Sequence, residues 1–344
     1  MLAAVFHAPN NIVVQQVPIA SRQAMLKVSA CAVCGYDVRV FRNGHQKVSP
    51  PVILGHELCG EIQSDIKIDD VNLKAGSRVA LCPLIPCLNC QYCQSNKYNL
   101  CLNLREIGST SNGGFAQYVA IPEQIIKIGG LVPVPENLTD EEAALLEPVA
   151  CCLNSFSRLA PLSKSSSIVI IGDGPMGLIH LQLFKRLSAA RVAIVGKVPS
   201  RMVKARLMGA EAVFAYSDGI AADILDFVGT CSGASAIVIA TSNPAAFELA
   251  IKVAGRDSTI NVFAGMQSGQ TFVLDPNWLH YNQISITGSF SSTPGMLSEA
   301  ARIVAEKIVD LSAIVTHKYS LEQIEKAMDA TEKYYGLRAV INRF

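Results

Sequence analysis

Four closely spaced cysteines carry the most specific chemical signal in this chain. They follow the spacing Cys87-x2-Cys90-x2-Cys93-x7-Cys101. Four thiolates this close in sequence can surround one tetrahedral ion, and zinc is the metal that such sites usually hold. Iron–sulfur ligation and a set of four buried free thiols are the alternatives. Because four thiolates leave no open coordination position, the spacing predicts a structural zinc rather than a catalytic one.

A glycine-rich segment is the second signal. The apolar run Ile168–Ile171 is followed by the G-x-G-x-x-G sequence Gly172, Asp173, Gly174, Pro175, Met176 and Gly177. In a dinucleotide-binding turn these glycines allow the tight bend, the approach of the pyrophosphate to the backbone, and close helix–strand packing. An ordinary glycine-rich turn is the alternative. The strand expected before the motif and the helix expected after it, over 177–187, favour dinucleotide binding by Gly172, Gly174, Pro175, Met176 and Gly177.

The next strand bears on the choice of dinucleotide. It is predicted over Val192–Val195, and Gly196 follows it where NAD-binding folds carry an acidic residue for the ribose hydroxyls. Lys197 and Arg201 are close by instead. A small residue followed by cations suits a 2′-phosphate, so the segment favours NADP over NAD. Solvated surface charges at Lys197 and Arg201 are the alternative.

A third set of residues is dispersed along the chain. Cys34 begins the segment Cys-Gly-Tyr-Asp, His56 and Glu57 follow Gly55, and Glu147 precedes a proline. Individually each is unremarkable, since a lone histidine is more often a core or surface residue than a ligand. Together they offer one thiolate, one imidazole and one or two carboxylates. That is the ligand set of a catalytic zinc that keeps an exchangeable position.

Composition limits the class of protein that holds these residues. The chain has 344 residues, 50% of them hydrophobic and 17% charged, which indicates about two folded domains. A formal net charge of +1 provides no basic field for nucleic acid or an anionic membrane. The apolar runs have strand length, and the first ten residues lack the pattern of a secretory signal. With 11 cysteines and a metal-like cluster among them, we expect a reducing, cytoplasmic location.

Two kinds of element must position the chemistry. Residues 1 to about 130 contain short alternating runs separated by Gly, Pro and Asn, such as 24–30, which predicts an irregular, mostly antiparallel β domain. Thr139 is a predicted helix N-cap. From residue 167 strands and helices alternate, which predicts an α/β unit with a doubly wound parallel sheet. From about residue 288 the pattern is mixed again, with a helix near 298–307 and a strand near 338–342.

These motifs, in this order, resemble the zinc-containing medium-chain dehydrogenases/reductases, and in particular their sorbitol (polyol) dehydrogenase branch. The resemblance spans the whole length. It rests on Cys34-Gly35-x-Asp37, Gly55-His56-Glu57, Gly76 with Val79, the four cysteines, Gly113 to Tyr118, Glu147-Pro148 and the Gly172 motif. Glu147 before Pro148 favours the polyol branch over ethanol dehydrogenases, which have a cysteine at that position.

The resemblance implies a split architecture. Residues 1–148 and 289–344 would form a GroES-like, β-rich catalytic domain with a structural zinc lobe at 82–105. Residues 149–288 would form an inserted Rossmann domain, with the active site in the cleft between the two. Cys34, His56 and Glu147 would ligate the catalytic zinc, with Glu57 as an alternate or adjacent carboxylate. Each chain would thus bind two zinc ions, and such enzymes are usually dimers or tetramers.

Two positions depart from the family pattern. Relatives commonly have Ser or Thr two residues after the ligating cysteine, where the hydroxyl relays the alcohol proton, whereas this chain has Tyr36. Tyr36 is either a replacement relay or a packed aromatic. Many relatives have histidine five residues after the cysteine, whereas this chain has Arg39, which cannot act as a base. Arg39 is a candidate for an anionic group of the substrate, and His45 is a weaker candidate for the relay.

The sequence therefore predicts a zinc-dependent, NAD(P)-linked oxidoreductase. The expected reaction interconverts a secondary alcohol and a ketone on a polyol, cyclitol or sugar-derived substrate, with a phosphorylated substrate suggested by Arg39. The expected partners are this small molecule and the cofactor, with no nucleic acid and no membrane. A threonine-type amino-alcohol dehydrogenase is the alternative activity. A non-catalytic nucleotide-binding relative is the alternative class, although the candidate ligands are all present.

Overall fold

The computed structural model describes residues 1–19, 24–68, 71–159, 161–188, 190–229, 233–266 and 269–344. The strands are β1 (Leu2–Ala8), β2 (Asn11–Gln16), β3 (Ala24–Ala32), β4 (Val52–Ile53), β5 (Glu57–Ile62), β6 (Ile66–Ile68), β7 (Val71–Leu73), β8 (Arg78–Leu81), β9 (Leu84–Ile85), β10 (Arg105–Glu106), β11 (Tyr118–Ile121), β12 (Leu131–Pro133), β13 (Ser167–Ile171), β14 (Arg191–Gly196), β15 (Ala212–Ala215), β16 (Ala234–Ile239), β17 (Ala254–Val262), β18 (Ser285–Gly288), β19 (Val315–Ser320) and β20 (Arg338–Arg343).

The helices occupy much of the remaining chain. They are α1 (Gly35–Asn43), α2 (Gln91–Gln94), α3 (Glu123–Lys127), α4 (Asp140–Ala144), α5 (Leu146–Phe156), α6 (Pro175–Leu187), α7 (Pro199–Leu207), α8 (Ile220–Val228), α9 (Ala245–Val253), α10 (Pro276–Asn282), α11 (Pro294–Ala305) and α12 (Ile324–Glu332). The described residues divide into two compact units. The first contains Met1–Ala150 together with Ser291–Phe344, and the second contains Cys151–Phe290.

The first unit is built on a mostly antiparallel sheet. In the described residues its strand order is β12-β8-β5-β3-β20-β19, and β11 also pairs with β3. A second sheet has the order β2-β1-β4. Their inner faces share a core that includes Phe6, Leu26, Leu58 and Phe115, each no more than 1% exposed. The sequence-based expectation of an irregular antiparallel β domain agrees with this arrangement.

Strand pairing brings three distant segments to one end of this sheet. Strand β3 pairs with β5 so that Ala32 lies opposite Glu57. Strand β20 pairs with β3 on its other side, with Val340 opposite Ala32. Three short segments therefore lie near one another: the residues just after β3, the start of β5 and the start of β20. This sheet end carries Cys34, Glu57 and Arg338.

The second unit is a parallel α/β domain. In its described residues the sheet order is β15-β14-β13-β16-β17-β18, and every recorded pair in it is parallel. All five residues of β13 are buried, as expected for a central strand covered by helices on both faces. Numbered by chain order, these strands run 3-2-1-4-5-6, the Rossmann order with its switch point beside β13. The predicted doubly wound fold is confirmed.

None of the helices in the described residues is long and apolar enough to cross a membrane.

Candidate functional site

The turn from β3 into α1 holds Cys34. Cys34 is the N-cap of α1, and its backbone N–H donates to the Asp37 carboxylate Oδ2 at 2.8 Å. An acid in the first helical turn is favoured by the helix dipole, and this hydrogen bond fixes the start of the helix. The Cys34 thiol is consequently presented at the end of the sheet by a rigid turn.

Asp37 joins this turn to the segment that carries His56. Its side chain is fully buried, its Oδ1 accepts a hydrogen bond from the Gly55 N–H at 3.3 Å, and the same oxygen lies 3.4 Å from His56 Nδ1. Burial lowers the pKa of His56, but the Asp37 carboxylate and the Cys34 thiol outweigh burial and raise that pKa well above 6.5. A carboxylate behind a histidine is the arrangement that orients metal-binding imidazoles.

The Glu57 carboxylate lies beside Cys34 and His56, and one of its oxygens has no hydrogen-bond partner among the described residues. Its Oε1 accepts a hydrogen bond from Arg338 at 3.0 Å, and Arg338 also donates to the Val33 carbonyl at 3.1 Å. Glu57 and Arg338 are only 1% and 4% exposed. Among the described residues, no group hydrogen-bonds to Glu57 Oε2. A buried carboxylate oxygen without a partner is costly, so this atom is available to a cation.

The donor atoms of Cys34, His56 and Glu57 all lie within 4.8 Å of one another. One thiolate, one imidazole and one carboxylate fit zinc, and three protein ligands leave a fourth position for a small molecule. Glu147 is not a member of this group. It lies in the first turn of α5, is 7% exposed, and is close enough to Cys82 to help burial raise the pKa of that thiol to about 12.

Tyr36 lies against this group. Its ring meets the ring of His56 edge-on, with centroids 5.7 Å apart, and meets His45 similarly at 5.5 Å. Its hydroxyl shares a 2.9 Å hydrogen bond with the buried Ser109 hydroxyl. Burial raises the pKa of Tyr36. Arg39 is on the same helix, α1, and its side chain is exposed.

The four cysteines converge in a separate lobe. Their sulfur atoms lie within 4.8 Å of one another, with Cys93 Sγ at 3.9 Å from Cys87 Sγ and 3.5 Å from Cys90 Sγ. Zinc–sulfur bonds of about 2.3 Å in a tetrahedron place sulfurs about 3.8 Å apart, so the cluster has the size that zinc requires. Hydrogen bonds from the backbone of Leu102 and Cys93 lower the pKa of Cys90 to about 6, which favours its thiolate, whereas burial raises the pKa of the neighbouring Cys93 to about 12.

The glycine-rich turn has the form that a dinucleotide requires. Gly172 has φ of 127°, and a Cβ there would lie 2.8 Å from the Ala240 carbonyl. A Cβ on Gly177 would lie 1.9 Å from the Gly172 carbonyl, so this glycine permits close packing of α6 on β13. Gly174 is the N-cap of α6, and Pro175 and Met176 form its first turn. The N-terminal end of such a helix suits a phosphate.

The residues at the end of β14 and just after it contact the glycine-rich turn and Tyr216. Gly196 is the last residue of β14, and Asp173 Oδ2 accepts hydrogen bonds from the Lys197 and Val198 N–H groups at 2.9 and 2.8 Å. The Lys197 ammonium lies 4.4 Å from the centre of the Tyr216 ring. Arg201 is buried, and its Nη1 lies 3.9 Å from the position that a Cβ on Gly174 would occupy.

Two known protein families match this chain, one in each of its two parts. Residues 20–135 match the sequence model of the alcohol dehydrogenase GroES-like domain, and residues 175–306 match that of the zinc-binding dehydrogenases. The sorbitol dehydrogenase of Bacillus subtilis strain 168 is 30% identical, over 96% of this chain and 93% of the relative. The chain belongs to the zinc-binding alcohol dehydrogenase family.

Two further proteins are similar to this chain, one in sequence and one in structure. The D-arabitol-phosphate dehydrogenase of Enterococcus avium is 26% identical, over 93% of this chain and 89% of that protein. The crystal structure of a zinc-binding dehydrogenase of Sinorhizobium meliloti 1021, bound to NADP, is 26% identical and superimposes with a TM-score of 0.90, over 99% of this chain and 98% of that one. The GroES-like and Rossmann expectations are thereby confirmed.

As a zinc-binding alcohol dehydrogenase, the protein is an oxidoreductase that acts on alcohol donors with zinc and a nicotinamide cofactor. Three residues at its candidate site were given no role by the sequence. Asp37 was part of a motif, and its position three residues after a helix N-cap was the signal available for its function. Arg338 is 281 residues from Glu57, and Ser109 is 73 residues from Tyr36, so only the fold reveals their contacts.

Proposed function

We propose that this enzyme oxidises a secondary alcohol of a polyol or sugar-derived substrate to a ketone, and catalyses the reverse reduction. The observation that carries the proposal is the convergence of Cys34, His56 and Glu57, whose donor atoms lie within 4.8 Å of one another. The named activities of the Bacillus and Enterococcus relatives, on sorbitol and on D-arabitol phosphate, support the class of substrate.

In this proposal Cys34 and His56 hold the catalytic zinc together with Glu57 or Glu147. Bound zinc is a Lewis acid that makes an alcohol more acidic and a ketone more electrophilic. Asp37 holds the His56 ring in place through Nδ1, 3.4 Å away, so that Nε2 is free to bind the metal. Arg338 Nη2 lies 3.0 Å from Glu57 Oε1 and compensates the charge of Glu57, while Glu57 Oε2 stays available to the metal.

Tyr36 is the proposed carrier of the substrate proton. Its hydroxyl is fixed by the 2.9 Å hydrogen bond with Ser109, and its ring is packed edge-on against His56. A phenol can both donate and accept a hydrogen bond, which is what a relay requires. Ser109 therefore positions the relay, and Tyr36 occupies the place of the serine or threonine common in relatives.

The nicotinamide cofactor is the proposed hydride acceptor. Its pyrophosphate would bind at Gly172, Gly174 and Gly177 and at the N-terminus of α6, with Pro175 and Met176 in the first turn. The NADP bound in the Sinorhizobium relative supports a nicotinamide dinucleotide at this turn. Gly196 ends β14, and Lys197 and Arg201 follow it; these are the residues from which the sequence favours NADP.

We also propose a homo-oligomer and a cytoplasmic location. Strand β18 is an edge strand of the parallel sheet, and Val273, Tyr281 and Phe290, in the chain before and after it, are 98%, 74% and 49% exposed. Exposed apolar side chains beside a sheet edge favour association with a second copy. None of the ten cysteines in the described residues forms a disulfide, which supports a reducing compartment.

A substrate screen tests the proposed activity. Purified enzyme is assayed with NAD and NADP on polyols, cyclitols, their phosphates and threonine, with reduced cofactor measured at 340 nm. Turnover on a polyol or its phosphate is the expected result. Preference for a phosphorylated polyol, lost in Arg39→Gln, would assign the substrate phosphate to Arg39. Turnover on threonine alone would overturn the polyol proposal, and no turnover with any alcohol would overturn the enzymatic one.

A further inference from the structure

The acid that NAD-binding folds carry at the end of the second strand is missing from β14, which ends at Gly196. In those folds the carboxylate accepts hydrogen bonds from the ribose hydroxyls. In this protein a carboxylate reaches the same place from another segment. It belongs to Asp173, the variable residue between the first two glycines of the glycine-rich turn.

Asp173 occupies the space in which a side chain at position 196 would begin. A Cβ on Gly196 would lie 2.4 Å from Asp173 Oδ2 and 2.5 Å from Asp173 Cβ, so any larger residue at 196 would collide with it. Asp173 Oδ2 accepts hydrogen bonds from the Lys197 and Val198 N–H groups at 2.9 and 2.8 Å. The residue is only 8% exposed, so its carboxylate is held in one position.

The nearby cations are directed elsewhere. The Lys197 ammonium lies over the Tyr216 ring, 4.4 Å from its centre. Arg201 is 5% exposed and approaches Gly174, the glycine at which the pyrophosphate comes close to the backbone in such turns. Arg201 therefore lies beside the glycine-rich turn, whereas a 2′-phosphate at the end of β14 would meet the negative charge of Asp173.

We propose that Asp173 is the residue that selects the cofactor, acting as a transposed ribose-binding acid that favours NAD over NADP. Its Oδ1 accepts a hydrogen bond from the adenosine ribose, and its charge repels a 2′-phosphate, which carries up to about two negative charges. This inference rests on the proposed dinucleotide-dependent function. It reverses the preference for NADP that Gly196, Lys197 and Arg201 suggested from sequence alone.

Binding of NADH and NADPH to the metal-loaded enzyme, measured by isothermal titration calorimetry, tests the proposal without turnover. We expect the wild type to bind NADH more tightly. Asp173→Asn keeps an oxygen for the Lys197 and Val198 N–H groups but removes the charge. It should lower the ratio of NADH to NADPH affinity about tenfold or more, the size expected for a lost charge-assisted hydrogen bond. Asp226→Asn, which removes an exposed charge from α8 of the same unit, should leave the ratio unchanged.

A transfer of the acid provides an independent check. Because Asp173 Cβ itself lies 2.5 Å from the Cβ position of residue 196, an acid at 196 requires glycine at 173. Asp173→Gly alone should lose the preference for NADH. Asp173→Gly combined with Gly196→Asp should recover it, since the carboxylate then comes from the end of β14.

Each other outcome has a definite meaning. A wild type that prefers NADPH, or an affinity ratio that Asp173→Asn leaves unchanged, overturns the role of Asp173. An equal loss of affinity for both dinucleotides, with a lower melting temperature, also overturns it, because Asp173 would then only stabilise the turn. A wild type that binds neither dinucleotide contradicts the proposed function itself.

Discussion

At the residue scale, the catalytic group depends on a buried carboxylate that does not touch the substrate. Asp37 accepts hydrogen bonds from the Cys34 and Gly55 N–H groups and lies 3.4 Å from His56 Nδ1. It therefore connects the turns that carry two of the three candidate ligands. Its charge also raises the pKa of His56 against the opposing effect of burial, so zinc competes with a proton for this imidazole.

Replacement of Asp37 should weaken one metal site and leave the other intact. Asp37→Asn removes the charge behind His56, and losing such a partner typically lowers metal affinity about 10- to 100-fold. We expect the catalytic zinc to be removed by a competing chelator at correspondingly lower concentration, while the four-cysteine zinc is retained. Asp65→Asn, at an exposed acid of the same unit, is the control. Unchanged retention of both ions would contradict this role.

His180 should make stability depend on pH. It is fully buried in α6, its Nδ1 donates to the Met176 carbonyl at 2.8 Å, and burial lowers its pKa to about 4. Between about pH 4 and its usual value of about 6.5, the unfolded chain binds the proton and the folded one does not. Stability is therefore full above about pH 6.5 and falls with decreasing pH by up to about 1.4 kcal/mol per pH unit.

The comparison of wild type with His180→Gln isolates this contribution. The free energy of unfolding, measured by urea denaturation from pH 4 to 7, should fall less steeply with decreasing pH in the variant. Equal slopes for the two proteins would show that His180 is protonated in the folded state, contrary to its environment.

At the element scale, short segments with little core depend on ligands or on distant strands. The four-cysteine lobe contains only α2, β9, β10 and a 3-10 turn, Tyr98–Leu100. Such a lobe is expected to gain most of its order from the metal. Its chain continues directly through β10 to Ser109, which holds the Tyr36 hydroxyl. Order in the lobe is therefore coupled to the position of the proposed relay.

Loss of one lobe cysteine should remove zinc and stability together. Cys90→Ser should reduce the zinc content by one ion per chain and lower the melting temperature by about 5–10 °C, as expected for a loss of a few kcal/mol. Metal analysis and differential scanning calorimetry provide the two readings. Cys151→Ser, at a half-buried cysteine outside both metal groups, should keep both zinc ions. An unchanged melting curve for Cys90→Ser would refute a structural role for the lobe.

The sequence predicted local features better than distant contacts. The glycine-rich turn, the N-cap Thr139 and the four cysteines were recognisable because each depends on residues close together in the chain. Strands β15 and β18 have four residues each and helix α10 has seven, and no local signal separated these short elements from loops. The ion pair of Glu57 with Arg338 and the position of Asp173 over Gly196 are set by strand pairing, which spacing does not reveal.

At the scale of the whole molecule, the first unit is assembled from both ends of the chain. Strand β20, near the C-terminus, lies between β3 and β19 and carries Arg338 to the buried Glu57. The central segment forms the parallel sheet independently of this pairing. The candidate metal group thus depends on residues separated by the entire Rossmann unit.

Association of chains should depend on the exposed apolar residues near β18. A double substitution, Val273→Asp with Tyr281→Asp, places two charges among side chains that are 98% and 74% exposed in the single chain. We expect it to shift sedimentation velocity from an oligomer to a monomer. Leu207→Asp, at an 83% exposed residue on α7, is the control and should leave the oligomer intact. A monomeric wild type would contradict the proposed association.

The most direct test of the account is the number of zinc ions per chain in the wild type and in two variants. If Cys34, His56 and Glu57 form one site and the four cysteines another, the wild type should contain two zinc ions. His56→Ala should contain one, with its melting temperature largely kept and alcohol oxidation lost. Cys90→Ser should contain the other one. A single zinc in the wild type that survives His56→Ala would contradict the catalytic metal site, and with it the proposed reaction.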